Sequence, residues 1–348
     1  MNDKDTYKNK VLDIYEELET DLMALILINC YDFNNIETFG NAEFNKLKRS
    51  LSREVYKDAL KKVNLTNTRR KQEVKRLFNN QTSKIENEYE DYTVEKEQRQ
   101  IIKENINLTN DSLNKLGRDI AEGTRKAMIE TMGDLYKQVV KGNQTFDAGF
   151  KKTTDNFFKK GITFQDKLGR NRSVEATVRQ DLLYRINETN REIYKEVGNK
   201  LKTTGWQINI SPNCRDSHQV INGQKFTNEE WKEYEYLTHE YNCQHVAEPI
   251  FYDIEDNKFT QKEIDDANNR TVNYKGDKIP YYDATQRQRA LERAIRNAKK
   301  NVVVAKQTGF QIDRANTQLL KAQSRMREYI KETGLTRDYD REYFAGYN

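Results

Sequence analysis

A chain of 348 residues with 60 Lys and Arg against 55 Asp and Glu carries a formal charge of +5, and 35% of it is hydrophobic against 33% charged. With a mean hydropathy of -1.03, this composition argues against large compact cores, while 20 Tyr and 14 Phe argue against wholesale disorder. It fits an elongated helical protein with thin cores, or one whose apolar stripes are completed by partner subunits.

The opening "MNDKDTYKNK" leads into no apolar signal region, so no secretory signal is expected. Three cysteines, Cys30, Cys214 and Cys243, are an odd number at wide spacing and point to a reducing compartment rather than a disulfide framework. The most apolar run, "LMALILI" at Leu22–Ile28, is far shorter than the roughly 20 residues a membrane-spanning helix needs. It reads as a buried helix face in a soluble intracellular protein.

No proline occurs from Met1 to Ser211. Long helices require such stretches, because an interior proline costs about 3 kcal/mol. A first helix over about 5–32 places Val11, Ile14, Tyr15, Leu18, Leu22, Leu25 and Ile26 at steps of three and four, one apolar stripe. "NAEFNKLKRSLSREVYKDALKKV" repeats the pattern through Phe44, Leu47, Leu51, Val55, Tyr56 and Leu60. The polar stretch from Asn64 to Glu104 predicts helix that is solvated or covered by another subunit. Helical periodicity returns between Leu113 and Phe158 with more glycine.

"ITF" and the segment around Val174 flank a turn signal at Asp166–Asn171, which predicts a short β-hairpin. The Gly and basic residues of "TFQDKLGRNR" lack the glycine spacing of a phosphate-binding loop, so a plain hairpin turn is the better reading. A helix should follow from Glu175 to about Lys200, and Gly198 and Gly205 mark its exit. Phe251–Pro280 reads as loop with short strands, "DATQRQRALERAIRNAKKNVVVAK" as a long helix, and "DYDREYFAGYN" as a tail ordered by contact.

The fold class is therefore mainly α: an elongated long-helix framework with a short β-hairpin near 162–176 and a small α/β Cys/His module at 206–255. Four regions result: N-terminal helices at 1–112, helices with the hairpin at 113–205, the module at 206–255 and a basic helical region at 256–348. All three histidines, both tryptophans, two cysteines and two prolines lie between Trp206 and Pro249. Specific chemistry should be sought there.

Cys214, His218, Cys243 and His245 can supply four ligands to a tetrahedral zinc, with His239 as a spare. Residues i and i+2 of an extended segment point to one side, so Cys243 and His245 could converge. The C-x2-4-C knuckle of zinc fingers is missing. The alternative is a pair of buried cysteines beside histidines that hydrogen-bond the backbone. A Cys–His nucleophile would need an orienting residue and an oxyanion loop, and neither is identifiable.

A second feature is basic. Over Ala284–Thr308, seven Lys or Arg face one acid, Glu292, a local charge of +6. Arg289, Arg293, Arg296 and Lys300 recur at helical spacing opposite Leu291, Ile295, Ala298 and Val302. Such a stripe can lie along phosphates or meet acidic subunits; its other reading is a solvated helix face.

Four segments carry a resemblance: "GITFQDKLGRNRSVEATVRQDLLYRIN" (Gly161–Asn187), "NCRDSHQVINGQKF" (Asn213–Phe226), "YNCQHVAEPI" (Tyr241–Ile250) and "YYDATQRQRALERAIRNAKK" (Tyr281–Lys300). In this order they resemble the phage minor capsid protein 2 family, related to the Mu F-like head morphogenesis proteins. "IYEELETDLMALI" looks like the family's N-terminal helix, though that match is generic. Arg215, His218 and Gly223 match its R-x-x-H-x4-G segment, and Cys243 and His245 its N-C-x-H segment. Cys214 matches no position of the pattern, which counts against a four-ligand site.

The resemblance implies a structural protein inside the virion head near the portal, made in the host cytoplasm, which assists assembly and can leave with the DNA. Expected partners are the portal protein, a major capsid or scaffold protein and double-stranded DNA. The N-terminal apolar stripes would dock on a partner, and the basic helix would face DNA or an acidic portal surface. No enzyme activity, catalytic residue, membrane span or small-molecule substrate is expected. No cofactor is required, zinc being the one candidate. The rivals are an HNH-like metal-dependent nuclease and a free DNA-binding scaffold protein.

Overall fold

Freed of proline, the first half of the chain forms helices of unusual length. The computed structural model describes residues 10–88, 96–142, 144–166, 169–240 and 242–347, without the side chains of 81–88. Residues 5–9 of the first expected helix, 89–95 of the polar stretch and 167–168 of the expected turn lie outside the described residues.

Helix α1 (Lys10–Tyr31) is the axis of the fold. It packs against α2 (Asn41–Glu88), α3 (Lys96–Tyr136), α5 (Val174–Leu201) and α8 (Tyr281–Thr308), so burial extends beyond its apolar stripe to Glu16, Glu19 and Thr20. This corrects the expectation that the N-terminal stripes await a partner. The chain's own later helices already cover them.

Helix α2 is a single run of 48 residues, about 70 Å at 1.5 Å per residue. It lies antiparallel to α3: Phe44 stacks on Tyr136 at 4.1 Å between ring centroids, and Arg70 reaches Asn114 Oδ1 at 2.6 Å. At their crossing a Cβ on Gly117 would stand 2.6 Å from Val63 Cγ1, so the close approach requires glycine. The polar stretch is helical where described, but Arg70, Val74, Phe78 and Ile102 are buried within the chain.

A five-residue π-turn (Lys137–Lys141) leads to α4 (Phe146–Lys160). The expected hairpin follows, β1 (Thr163–Gln165) pairing antiparallel with β2 (Asn171–Ser173). Arg170 and Arg172 both turn back onto Asp166, at 2.9 and 3.1 Å. These two arginines thus hold the turn itself.

The module is built on three antiparallel strands in the order β4–β3–β5, with β3 (Gly205–Ile208) between β4 (Lys225–Thr227) and β5 (Ala247–Ile250). Helix α6 (Asn228–Thr238) starts from a capping box between Thr227 and Glu230. Its apolar core comprises Ile208, Ile221, Trp231, Leu237 and Ala247.

Beyond it, the expected loop contains a helix, α7 (Gln261–Asn268), again opened by a capping box, Thr260 with Glu263. That T-x-x-E signal is local and was readable. A hairpin of β6 (Thr271–Tyr274) and β7 (Asp277–Pro280) precedes α8, and Gly309, left-handed at φ +77, turns the chain into α9 (Ile312–Thr333).

The main apolar cluster joins α1 to α5 with α8 and α9, and none of its buried members lies between Val197 and Ile295. Three buried polar links join the end of the chain to its beginning and middle: Lys300 to Glu19 at 2.7 Å, Arg296 to Glu175 at 2.8 Å, and the Ala345 N–H to Glu16 at 2.7 Å. Among the described residues no helix is long and apolar enough to cross a membrane.

Candidate metal centre

Two short local structures bring the module's histidines and one cysteine together. After β3, a 3-10 turn at Asp216–His218 swings His218 inward until 1% of it is exposed. On the other side Asn242 takes a left-handed conformation (φ +63), and the extended segment after it sends Cys243 and His245 inward, ahead of β5. Asn is among the few residues that tolerate this turn. The i, i+2 expectation holds: both side chains are buried and face one another.

Cys243 Sγ lies 3.5 Å from His218 Nδ1 and 3.5 Å from His245 Nδ1. The ligand atoms of these three residues all fall within 4.8 Å of one another. Among the described residues no other group of three or more His, Cys, Asp or Glu is so arranged.

The outer nitrogens are held as well. His218 Nε2 meets Glu240 Oε2 at 3.1 Å, and Arg215 binds that same oxygen at 2.7 Å. His245 Nε2 meets Asn222 Oδ1 at 3.2 Å. Asn222 is wholly buried and locked: its Oδ1 accepts from Ser211 N–H at 2.7 Å, and its Nδ2 donates to Asn268 Oδ1 at 2.7 Å and to Ser211 O at 3.2 Å. The neighbouring Gly223 has φ +72 and sits against Ile264, where a Cβ would come within 2.9 Å of Cγ1. Glycine is needed there to place Asn222.

Burial pushes the Cys243 thiol up and the Cys214 thiol to about 12. Burial, then the neighbouring His218 and Arg215, pushes His245 down to about 4. Unassisted, both cysteines are thiols at neutral pH, which argues against a Cys–His nucleophile.

Cys214 lines the same recess, but its Sγ is directed to Arg215 O at 3.3 Å and stands outside the three-ligand group. His239 is also apart, its Nδ1 3.0 Å from Glu188. Glu240, Asn222 and Asn268 escaped sequence reasoning. Asn222 lay inside a quoted motif, yet nothing local assigns it a role.

The recess holds about 200 Å³ and is lined by Arg179, Arg215, Arg289 and Arg293 together with Asn213 and Tyr282. Of the four basic residues expected on one exposed stripe, Arg289 and Arg293 thus reach this recess. Arg296 and Lys300 do not form a free surface. They are 2% and 6% exposed, because α8 packs on α1 and its Arg296 and Lys300 pair with Glu175, at the start of α5, and with Glu19. Burial raises the Glu175 carboxyl, but Arg296 and then Arg179 outweigh it and hold the group below its usual range.

The chain is a long-helix framework that carries a small Cys/His module. The model of the family described as phage minor capsid protein 2 matches residues 3–331, and the chain belongs to that family. It is therefore a structural protein of the phage head and a constituent of the virion, made to contact other head proteins. No curated protein and no solved structure matches the chain.

Proposed function

We propose that the protein is an internal head component that sits near the portal and assists assembly. The observation that carries this reading is the family match over nearly the whole chain. The shared core of the long helices supports it, since α1 to α5, α8 and α9 contribute to one apolar cluster and form one framework. Partners would be the portal protein and a major capsid or scaffold protein from the same genome.

The docking surface is not an uncovered N-terminal stripe, since α1 is enclosed. Of the four basic residues of the stripe, Arg289 and Arg293 are left for contact with DNA or an acidic portal surface through α8. These two sit with Arg179 and Arg215 around a recess suited to one phosphate or carboxylate rather than to a length of duplex.

Co-expression with the portal and major capsid proteins of the same genome tests the reading. Stable co-purification in a few copies per particle is the expected result. A chain that leaves both the portal and the capsid on purification would overturn it.

A further inference from the structure

We infer that His218 Nδ1, Cys243 Sγ and His245 Nδ1 bind one zinc ion that staples the module, with Cys214 outside the ligand set. Glu240 Oε2, which already accepts from Arg215, is the acceptor facing His218 Nε2, so in the neutral ring the proton sits on Nε2 and Nδ1 carries a lone pair. Asn222 cannot be flipped: Ser211 N–H donates to its Oδ1 while its Nδ2 donates to Ser211 O. His245 Nε2 must therefore donate to that Oδ1, and its Nδ1 also carries a lone pair.

Both lone pairs are aimed at Cys243 Sγ. A thiol has a single proton and can satisfy only one of them. A thiolate with a bound cation satisfies all three groups, since it turns two competing acceptors and a sulfur into ligands of one ion.

The spacing agrees. Zinc bonds of about 2.3 Å to sulfur and 2.0–2.1 Å to nitrogen, at a tetrahedral angle, put sulfur and nitrogen about 3.5 Å apart. Both Sγ–Nδ1 distances are 3.5 Å. Mixed thiolate and imidazole donors in a buried site select zinc over the harder cations. Histidine ligands whose second nitrogen donates to a carboxylate or amide oxygen are also the usual support around such an ion, and here both histidines have one.

The position of the three residues gives the ion a purpose. His218 ends the 3-10 turn after β3, and Cys243 and His245 lead into β5. One ion would tie the two long connections of a module whose own apolar core is five residues. A core of that size seldom holds a fold without a staple. The fourth coordination position falls to solvent in the arginine-lined recess.

The test uses the full chain, purified without affinity metal and analysed by inductively coupled plasma mass spectrometry. About one equivalent of zinc is expected, lost in H218A, C243S and H245A and kept in C214S. Cobalt exchanged into the wild-type protein should give a sulfur-to-metal charge-transfer band, a readout that needs no variant to fold. E240Q should keep the fold by circular dichroism and bind zinc about 10–100-fold more weakly. Wild-type protein that neither retains zinc nor shows the cobalt band overturns the proposal, as does zinc retained by C243S. Loss of zinc from C214S overturns the three-ligand set.

Discussion

The framework and the module are held by different means. The framework buries apolar side chains from α1 to α9 in one cluster and crosses it with ion pairs between residues far apart in sequence. The module's own apolar cluster has five buried members, and a polar network around Asn222, His218, His245 and Glu240 adds to its order. The lesson is that the chain's charged residues serve two ends. In the framework they are buried to fix the packing of α8; in the module they surround a cluster that offers metal ligands.

The largest effect that can sharpen this contrast comes from the buried pairs. Removing one partner of such a pair costs about 3–5 kcal/mol, because the other charge is left uncompensated. R296A leaves Glu175 with Arg179 at 3.7 Å and should cost about 3 kcal/mol, the lower end of that range, in denaturant unfolding. Zinc content of the folded R296A fraction should not change, since the module is held separately.

Glu292 supplies a pH-dependent effect. Its carboxyl is 1% exposed and burial pushes it up to about 7 from 4.5. A raised carboxylate binds a proton in the folded state that the unfolded chain has already released, so stability falls as pH rises between these values. The loss approaches roughly 3 kcal/mol above pH 7. E292Q should flatten thermal midpoints between about pH 5 and 7 and exceed wild type at pH 8. An unchanged slope would show that Glu292 does not titrate in that window.

Packing at the α2–α3 crossing gives a somewhat smaller change. G117A drives a methyl into Val63 and should cost about 1–3 kcal/mol, with V63A restoring part of it. In the module, N222A removes the Ser211 and His245 contacts and should cost about 1–3 kcal/mol for the polar groups left unsatisfied. It should also weaken metal retention, which G117A should not.

The smallest stability change belongs to the other half of the basic stripe. R289Q and R293Q should cost less than the loss of either buried pair, since both side chains line an open recess. If α8 meets DNA through them, each should lower the salt slope of duplex binding by about one. A binding isotherm unmoved by both would assign that face to protein contacts.

Much of the framework was legible because its signals are local and periodic. The proline-free half, the three-and-four spacing of α1 and the turn residues after Phe164 gave helices and hairpin close to where they stand. The 28-residue α8 was read from the same periodicity, and its stripe was read too. What periodicity could not say is which neighbours meet a stripe. Arg296 and Lys300 look like a solvated face until Glu175 and Glu19, 121 and 281 residues away, are brought against them. The enclosure of α1 was hidden for the same reason.

At the candidate site, the residue types gave away His218, Cys243 and His245. Cys214 was drawn in by type alone, and its sulfur belongs to a different contact. Glu240 and Asn222 were missed because an amide and an exposed-looking acid gain meaning only from the ring nitrogen each one faces. The short α7 was missed for a weaker reason, since its capping box was on view.

Hydrogen exchange of the full chain, with and without a zinc chelator, tests the two-region account most directly. The expected result is loss of amide protection in Gly205–Ile208, Lys225–Thr227 and Ala247–Ile250, with α1, α3 and α8 unchanged. Protection that stays intact in all of these, or that falls equally across the framework, would contradict it.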